Sequence, residues 1–217
     1  MGLSPVNPRP AVGTVLAGAP LESASVAVVV VHGRDQDPDW MLEHLVQRLD
    51  LPEAAFILPA APGGSWYPGR FFDPVAANEP WVGRAIETCS SAVALAHEAG
   101  LPVERIALAG FSQGACIVAE LLVREPRSYA AAAILTGGAF GTDDELEAPP
   151  EPLDGVPVLV TGHTDDDWVP VARVRRTARL LAEAGADVRL AIHDDPEHSI
   201  NDDEVAAVRE LLVEAGA

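Results

Sequence analysis

The residues of this sequence that could do chemistry begin with a serine framed by two glycines, in the run Gly110-Phe111-Ser112-Gln113-Gly114. A short apolar run precedes it at 106–109, and a segment with helical spacing follows it at 113–123. A nucleophilic serine on a strained turn between a strand and a helix requires this context, and side chains at the glycine positions would crowd the two elements. Ser112 is therefore the candidate nucleophile. The alternative is a glycine-rich turn with a structural role only.

A serine hydroxyl attacks carbonyl carbon efficiently only when a base takes its proton, and a histidine from another strand end usually serves. Of the six histidines, His198 lies in a loop between the last predicted strand and the last predicted helix. It completes the chain order serine, acid, histidine. A solvated loop histidine is the alternative. Surface, packing or turn-shaping roles are expected for the others, His32, His44, His97, His163 and His193.

The acid that would orient this histidine should follow the strand predicted at 156–160, where three aspartates stand together, Asp165, Asp166 and Asp167. The residues alone leave the choice among them open. Clustered acids could instead form a solvated or cation-attracting loop, but the spacing shows no set of converging metal ligands. No catalytic metal is expected.

The oxyanion formed during acyl transfer needs two backbone N–H donors. One is expected from the residue after the nucleophile, Gln113, and the other from the loop after an early strand, where Arg34 stands. Aromatic residues in the predicted loops could wall an apolar acyl pocket, and the candidates are Trp66, Tyr67 and Trp168. Large aromatic side chains equally often seal a core.

The elements that would position these residues alternate along the chain. Apolar and β-branched runs predict strands at 26–31, 55–58, 106–109, 130–135, 156–160 and 188–192. Helical spacing predicts helices at 41–49, 81–99, 113–123, 171–184 and 204–213. This order indicates parallel βαβ units with helices on both faces of the sheet and ligands beyond the carboxyl ends of the strands. The 217 residues are expected to form one domain, residues 1–217, with an exposed connection at 141–155.

The charge balance narrows the range of partners. There are 33 acidic residues against 14 cations, the cations are all arginine, and the net charge is -19. Such a charge repels nucleic acid and anionic membranes. It is typical either of a very soluble surface or of adaptation to a salty cytosol that screens self-repulsion. No apolar stretch is long enough for a membrane span, and the first residues do not resemble a signal peptide, so a cytoplasmic location is expected. Cys89 and Cys116 fall in helical segments and are expected to be reduced core residues.

Four motifs, in order along the chain, resemble the phospholipase/carboxylesterase family, which includes acyl-protein thioesterases. They are Val31-His32-Gly33-Arg34, Ala61-Pro62-Gly63-Gly64-Ser65-Trp66-Tyr67-Pro68, Gly110-Phe111-Ser112-Gln113-Gly114 and His198-Ser199-Ile200-Asn201. The resemblance runs from about residue 26 to the C-terminus. It implies an α/β-hydrolase fold without a large cap, hydrolysis of carboxylic esters or thioesters, and a serine, aspartate and histidine triad that needs no cofactor.

The same resemblance bears on the acid. In the family pattern the aspartate stands three residues before the valine of a Val-Pro pair, which here is Val169-Pro170 and selects Asp166. Counting three residues from the preceding Gly162 selects Asp165 instead. Asp166 is the residue we predict.

The expected substrate is a small or extended acyl ester or thioester, since a site without a cap is open. Two other functions share these residues: a hydrolase-like binding protein with little turnover, and an acyltransferase or perhydrolase with the same triad. The sequence does not indicate acyl chain length or a preference for esters over thioesters. It also does not indicate the oligomeric state, and a homodimer is compatible with it.

Overall fold

The computed structural model describes residues 13–146, 149–194 and 197–217. The strands are β1 (Val15–Gly18), β2 (Val26–Val31), β3 (Ala54–Leu58), β4 (Ile106–Phe111), β5 (Ala131–Leu135), β6 (Pro157–His163) and β7 (Asp187–His193). The α-helices are α1 (Pro38–Met41), α2 (Gln47–Leu49), α3 (Val75–Asn78), α4 (Trp81–Glu98), α5 (Gln113–Arg124), α6 (Val171–Glu183) and α7 (Asp202–Glu214). A π-helical segment, Leu42–Val46, joins α1 to α2, and short 3₁₀ turns occupy Pro62–Gly64 and Val103–Arg105.

The seven strands form one sheet in the order β1-β3-β2-β4-β5-β6-β7. All neighbours are parallel except β1, which pairs antiparallel with β3. The six strands predicted from apolar runs are all present. The edge strand β1 was not predicted, because it has only four residues and alternates between partly buried and exposed positions. β6 extends to His163, past the predicted end at 160, because its last residues pair with β7.

Both faces of the sheet are covered, which explains the uninterrupted apolar run of β2. Val26, Val28 and Val30 pack in the core that includes α1, α2 and α7. Val29 and Val31 point the other way, into the core beneath α4, α5 and α6. All of these side chains are buried. The parallel α/β architecture with helices on both faces is therefore the one predicted, and it is an α/β-hydrolase fold.

The position of the site follows from the strand order. The chain leaves β2 toward β3 on one side and leaves β4 toward β5 on the other, so the loops after β2 and β4 diverge in opposite directions. Ligands of open α/β sheets bind in the crevice at such a switch point. The register places Val31 of β2 opposite Gly110 of β4, so the turns after these strands lie side by side.

The connection between β5 and β6 adds no further domain above the sheet. Its described residues contain no helix or strand, so no large cap stands over the sheet. Cys89 and Cys116 are free thiols buried in α4 and α5, as predicted. Within the described ranges, no helix combines the length and the apolar character needed to cross a membrane.

Candidate active site

Ser112 occupies the turn between β4 and α5, with φ of 54° and ψ of -116°. A positive φ is costly for a residue with a side chain, so the surroundings must hold this conformation. They do so by close packing: a Cβ on Gly110 would collide with the carbonyl of Gly114, and one on Gly114 with the carbonyl of Val31. The Ser112 N–H also donates to the Leu135 carbonyl at 2.9 Å. The serine is thereby presented at the carboxyl edge of the sheet.

Three side chains from three loops meet at this turn. Ser112 Oγ lies 2.7 Å from His198 Nε2, and His198 Nδ1 lies 2.6 Å from Asp166 Oδ2. The second carboxylate oxygen of Asp166 accepts the N–H groups of Trp168 and Val169 at 2.7 and 2.8 Å. The Asp166 carboxylate is fully buried, whereas a quarter of the His198 side chain is exposed. A carboxylate held in this way fixes both the ring orientation and the proton position of the histidine.

The structure distinguishes the three adjacent aspartates. Asp166 points inward to His198, and its bonds to the following N–H groups close a tight turn. Asp165 and Asp167 are exposed to solvent. The sequence alone could not separate them, because one residue of register within the loop decides which carboxylate faces the histidine.

A buried network supports the loop that carries His198. Helix α7 begins after Asn201, whose side chain accepts the Glu204 N–H at 2.9 Å while Glu204 accepts the Asn201 N–H at 3.0 Å. Glu204 also accepts a hydrogen bond from Thr161 of β6, and His163 Nε2 lies 3.7 Å from its carboxylate. Glu204 and Thr161 have no exposed surface. This carboxylate ties the helix after His198 to the strand that leads to Asp166.

Glu204 was missed at the sequence level. The Asn-x-x-Glu spacing of residues 201–204 is typical of a helix capping box and would have indicated its local bonds. The contact with Thr161 brings together residues 43 positions apart, and no local pattern contains it.

Two backbone N–H groups lie near Ser112, those of Arg34 and Gln113. A Cβ on Gly33 would stand 3.3 Å from Ser112 Cβ, so the peptide that links Gly33 to Arg34 borders the serine. The Gly33 N–H donates to Gln36 Oε1 at 2.8 Å, which orients this loop. Neither the Arg34 nor the Gln113 N–H has an acceptor within the described part of the chain. Gln113 is also the first residue of α5, at the positive end of the helix dipole.

The Gln113 side chain has a second role that the sequence did not indicate. It is buried, its Oε1 accepts the Trp66 N–H at 2.8 Å, and its Nε2 donates to the Tyr67 carbonyl at 2.7 Å. A side-chain amide with both donor and acceptor in use holds its partners in one geometry. The turn at Ser112 and Gln113 is therefore hydrogen-bonded to the loop that contains Tyr67 and holds it in position.

A cleft of about 540 Å³ opens at Ser112 and His198, and we call it the Ser112 cleft. Its lining residues are Arg34, Asp35, Gln36, Tyr67, Pro68, Gly69, Arg70, Phe71, Asp73, Ser112, Gln113, Cys116, Trp168, Val169 and His198. Of the three predicted pocket residues, Tyr67 and Trp168 line this cleft. Trp66 does not line it. Its indole N–H donates to the His32 carbonyl at 2.8 Å and the side chain is buried in the core, where it packs on the His32 ring.

Cys116 raises the question of a competing nucleophile, since it lines the same cleft. Burial raises the pKa of the Cys116 thiol to about 11. Burial also raises the pKa of the neighbouring Tyr67 phenol. Both groups are neutral at physiological pH, and a thiol reacts only as its thiolate. The cleft wall at Cys116 and Tyr67 is thus uncharged, and the geometry favours Ser112 over Cys116 as the candidate nucleophile.

Comparison with known proteins agrees with this architecture. Residues 18–214 match the family model described as phospholipase/carboxylesterase. A crystal structure of a phospholipase/carboxylesterase from Dyadobacter fermentans DSM 18053 is similar with a TM-score of 0.84 and 32% identity, over 92% of this chain and 95% of that chain. The structure of esterase PE8 has a TM-score of 0.80 and 26% identity, over 94% of this chain and 98% of that one.

A curated relative is a probable esterase of Aspergillus terreus (strain NIH 2624 / FGSC A1156), 29% identical over 166 residues, or 70% of this chain. The match spans 64% of that relative's length. The family model, by contrast, extends over nearly the whole chain from β1 to α7. This chain belongs to the phospholipase/carboxylesterase family.

Proposed function

We propose that this protein is a serine esterase that hydrolyses carboxylic esters through an acyl-enzyme on Ser112. The observation that carries the proposal is the hydrogen-bonded series Ser112, His198 and Asp166 at the edge of an open cleft. Geometry of this kind defines the catalytic triad on unrelated folds. Relatives described as esterases support the same reaction class.

In the acylation step, Ser112 Oγ attacks the ester carbonyl carbon while its proton passes to His198 Nε2. Asp166, bonded to His198 Nδ1, stabilises the imidazolium that forms. The carbonyl oxygen becomes an oxyanion, and we assign its two donors to the backbone N–H groups of Arg34 and Gln113. His198 then returns the proton to the departing alkoxide, and the alcohol leaves an ester on Ser112.

Deacylation repeats these steps with water as nucleophile. Water gives a proton to His198 as it attacks the acyl-enzyme, and the same two N–H groups hold the second oxyanion. Collapse of this intermediate breaks the bond to Ser112 Oγ, which takes its proton back from His198. The products are a carboxylic acid and the restored serine. None of these steps draws on a cofactor.

The shape of the cleft supports small or extended acyl groups. The described connection between β5 and β6 forms no cap, and Trp168 at the rim is 66% exposed. Tyr67, Phe71 and Cys116 provide a neutral and largely apolar inner wall. A thioester would fit the same machinery, since the attacked carbonyl and the oxyanion are alike.

Replacement of the nucleophile is the direct test. We expect Ser112→Ala to lower kcat for a p-nitrophenyl ester on the order of 10⁶-fold, because the triad acts as a unit. Ser91→Ala is a matched control, since Ser91 lies on the exposed face of α4 and its hydroxyl donates only to the Glu87 carbonyl. Near-normal turnover by Ser112→Ala would refute the assignment.

The three aspartates provide a second test. We expect Asp166→Asn to lower kcat by about 10⁴-fold, because an amide favours the wrong histidine tautomer. Asp165→Asn and Asp167→Asn are the matched controls in the same loop, and both should keep kcat within about twofold. Loss of activity at Asp165 alone would overturn the choice of Asp166.

Rival functions are separated by labelling and by product analysis. A fluorophosphonate probe should label the wild type at Ser112 and leave Ser112→Ala unlabelled, whereas a binding protein with little turnover would not react. Hydrolysis in the presence of an alcohol or hydrogen peroxide should yield mainly the free acid. Predominant transfer of the acyl group to the added acceptor would instead identify an acyltransferase or perhydrolase.

A further inference from the structure

Two guanidinium groups line the Ser112 cleft, those of Arg34 and Arg70. Their position contrasts with the composition of a chain that has 33 acidic residues and 14 cations. Both arginines stand on the side of the cleft formed by the loop after β2 and the residues that follow Tyr67. The nucleophile Ser112 lies in the same cleft, so a substrate bound there comes within reach of these cations.

Arg34 is held in place without being neutralised. Its Nη1 and Nη2 donate to the carbonyls of Pro68 and Gly69 at 3.2 and 2.6 Å, and its guanidinium lies 5.8 Å from the centre of the Tyr67 ring. Carbonyl oxygens and an aromatic face orient a guanidinium but bring no negative charge. A guanidinium has five N–H donors, so others remain available to a ligand.

Arg70 is similarly placed. Its guanidinium lies 5.5 Å from the centre of the Phe72 ring, and its side chain is exposed at the cleft. Among the residues that the structure describes, neither Arg34 nor Arg70 has a carboxylate within ion-pair distance.

Arginines with a structural role in this protein are paired differently. Arg173 binds Asp143 at 2.7 Å, and Arg124 binds Glu120 at 2.6 Å and Glu79 at 2.8 Å. Arg34 and Arg70 differ from these structural arginines, because no carboxylate of the described residues pairs with them. Their positive charge is therefore available to a bound ligand.

The neighbouring acids limit what that ligand can be. Asp35 and Asp73 also line the cleft, so the four charges sum to zero. Asp73 accepts the backbone N–H of Arg70 at 2.8 Å, not its guanidinium. A ligand with several negative charges would be repelled by these carboxylates and by the net charge of the protein. A single carboxylate between the guanidinium groups would gain two charged donors.

We propose that Arg34 and Arg70 form an anion subsite and that the preferred substrates are esters that carry one carboxylate group besides the scissile bond. The proposal rests on the esterase function proposed above. The anion subsite adds substrate specificity to that esterase function, because the guanidinium groups bind the carboxylate while Ser112 attacks the ester.

The experiment compares kcat/KM for esters matched in size. One arm places the charge on the acyl side, with p-nitrophenyl hydrogen glutarate against the p-nitrophenyl ester of glutaric monoamide. The other places it on the leaving group, with 4-acetoxybenzoate against 4-acetoxybenzamide. We expect the wild type to prefer the carboxylate in one arm by about fivefold or more, the size of a partly screened ion pair, and to lose the preference in molar KCl.

Arg34→Gln and Arg70→Gln test the residues, and the readout is the ratio of kcat/KM for the charged and neutral esters. A ratio cancels any effect of a variant on the chemical step that both esters share. Each substitution should reduce the ratio, mainly through KM of the charged ester. Arg84→Gln, on the exposed surface of α4 and outside the cleft, is the control and should keep the wild-type ratio.

The outcomes separate this proposal from the esterase function. Equal kcat/KM for charged and neutral esters in both arms, with the neutral esters turned over by wild type and not by Ser112→Ala, would overturn the subsite alone. A preference that survives both arginine substitutions would also overturn it. Absence of serine-dependent turnover with every ester would contradict the esterase function itself.

Discussion

Glu204 at the start of α7 accepts a hydrogen bond from Thr161 of β6, and neither side chain has any exposed surface. The bond joins the two elements that frame the candidate triad, since β6 leads to Asp166 and α7 follows His198. A charge is costly to bury unless hydrogen bonds satisfy it, and Glu204 is satisfied by Thr161 and by the Asn201 N–H. We therefore expect Glu204 to position the Asp166 and His198 pair.

We expect Glu204→Gln to reduce kcat by about tenfold with little change in KM, because an amide has one acceptor where the carboxylate uses two. The free energy of unfolding should fall by about 1–3 kcal/mol, the cost of an unsatisfied buried group. Asp203→Asn is the control, since Asp203 is exposed on the same turn. Steady-state kinetics below the unfolding temperature separate the two effects, and an unchanged kcat in a destabilised variant would leave Glu204 a purely structural residue.

Gly114, which follows the turn at Ser112, leads to a prediction about folding stability. A methyl group at Gly114 would collide with the carbonyls of Val31 and His32, which are backbone atoms that cannot rotate away. We expect Gly114→Ala to cost about 3 kcal/mol or more of folding free energy, as overpacking against fixed atoms does.

Gly83→Ala offers the control in the first turn of α4, where the nearest atom is the Glu79 carboxylate oxygen that accepts the Gly83 N–H, and where no backbone atom lies in the way. Since alanine is more favourable than glycine in a helix, which offsets a small shift of Glu79, this variant should stay within about 1 kcal/mol of the wild type. Urea unfolding of both variants measures the difference. Equal free energies of unfolding for Gly114→Ala and Gly83→Ala would mean that the turn at Ser112 is less tightly packed than the geometry indicates.

Buried His32 makes stability depend on pH. Burial lowers its pKa below the ordinary value of 6.5, against the opposing effects of the Gly33 carbonyl and Asp37. The neutral ring is required because Nε2 accepts the Ala61 N–H at 3.0 Å while Nδ1 contacts the Gly33 carbonyl at 2.7 Å. The unfolded chain therefore binds more protons than the folded one just below pH 6.5, so this contribution to stability is lost as the pH falls through that range.

His32→Gln is designed to remove the titration, since its amide oxygen can accept the same Ala61 N–H. Urea unfolding at pH 7.5 and pH 5.5 should show a smaller loss of stability in this variant than in the wild type. The same loss in both proteins would assign the acid sensitivity to other groups.

The net charge of -19 leads to a prediction about salt. Acidic side chains that repel one another destabilise a compact state, and the repulsion weakens as the Debye length falls from about 10 Å at 0.1 M to about 3 Å at 1 M salt. We therefore expect the free energy of unfolding to rise between low and molar KCl, as adaptation to a salty cytosol requires. Unfolding curves across this range measure it, and a stability independent of KCl would favour a merely soluble surface.

Much of the fold follows from local patterns. The buried strands are visible as apolar runs because both faces of a parallel sheet are covered. Ser112 is visible as the candidate nucleophile because a strained turn between β4 and α5 tolerates only glycine at Gly110 and Gly114. His198 follows from its position after the last strand. Among the strands of the described residues, β1, short and half-exposed at the sheet edge, carried too weak a signal to be predicted.

The tertiary structure decided what depends on residues distant in the chain. It directed Asp166, not its neighbours, toward His198, and it buried Trp66 against His32 while leaving Trp168 at the cleft. It also brought Glu204 to Thr161 and placed Arg34 and Arg70 in the cleft that Ser112 lines. The sequence by itself determined the elements and the types of reacting groups, because strand runs and glycine turns act over a few residues. Which side chain faces which depends on loop register and on packing between elements, and these are settled only when the sheet is assembled.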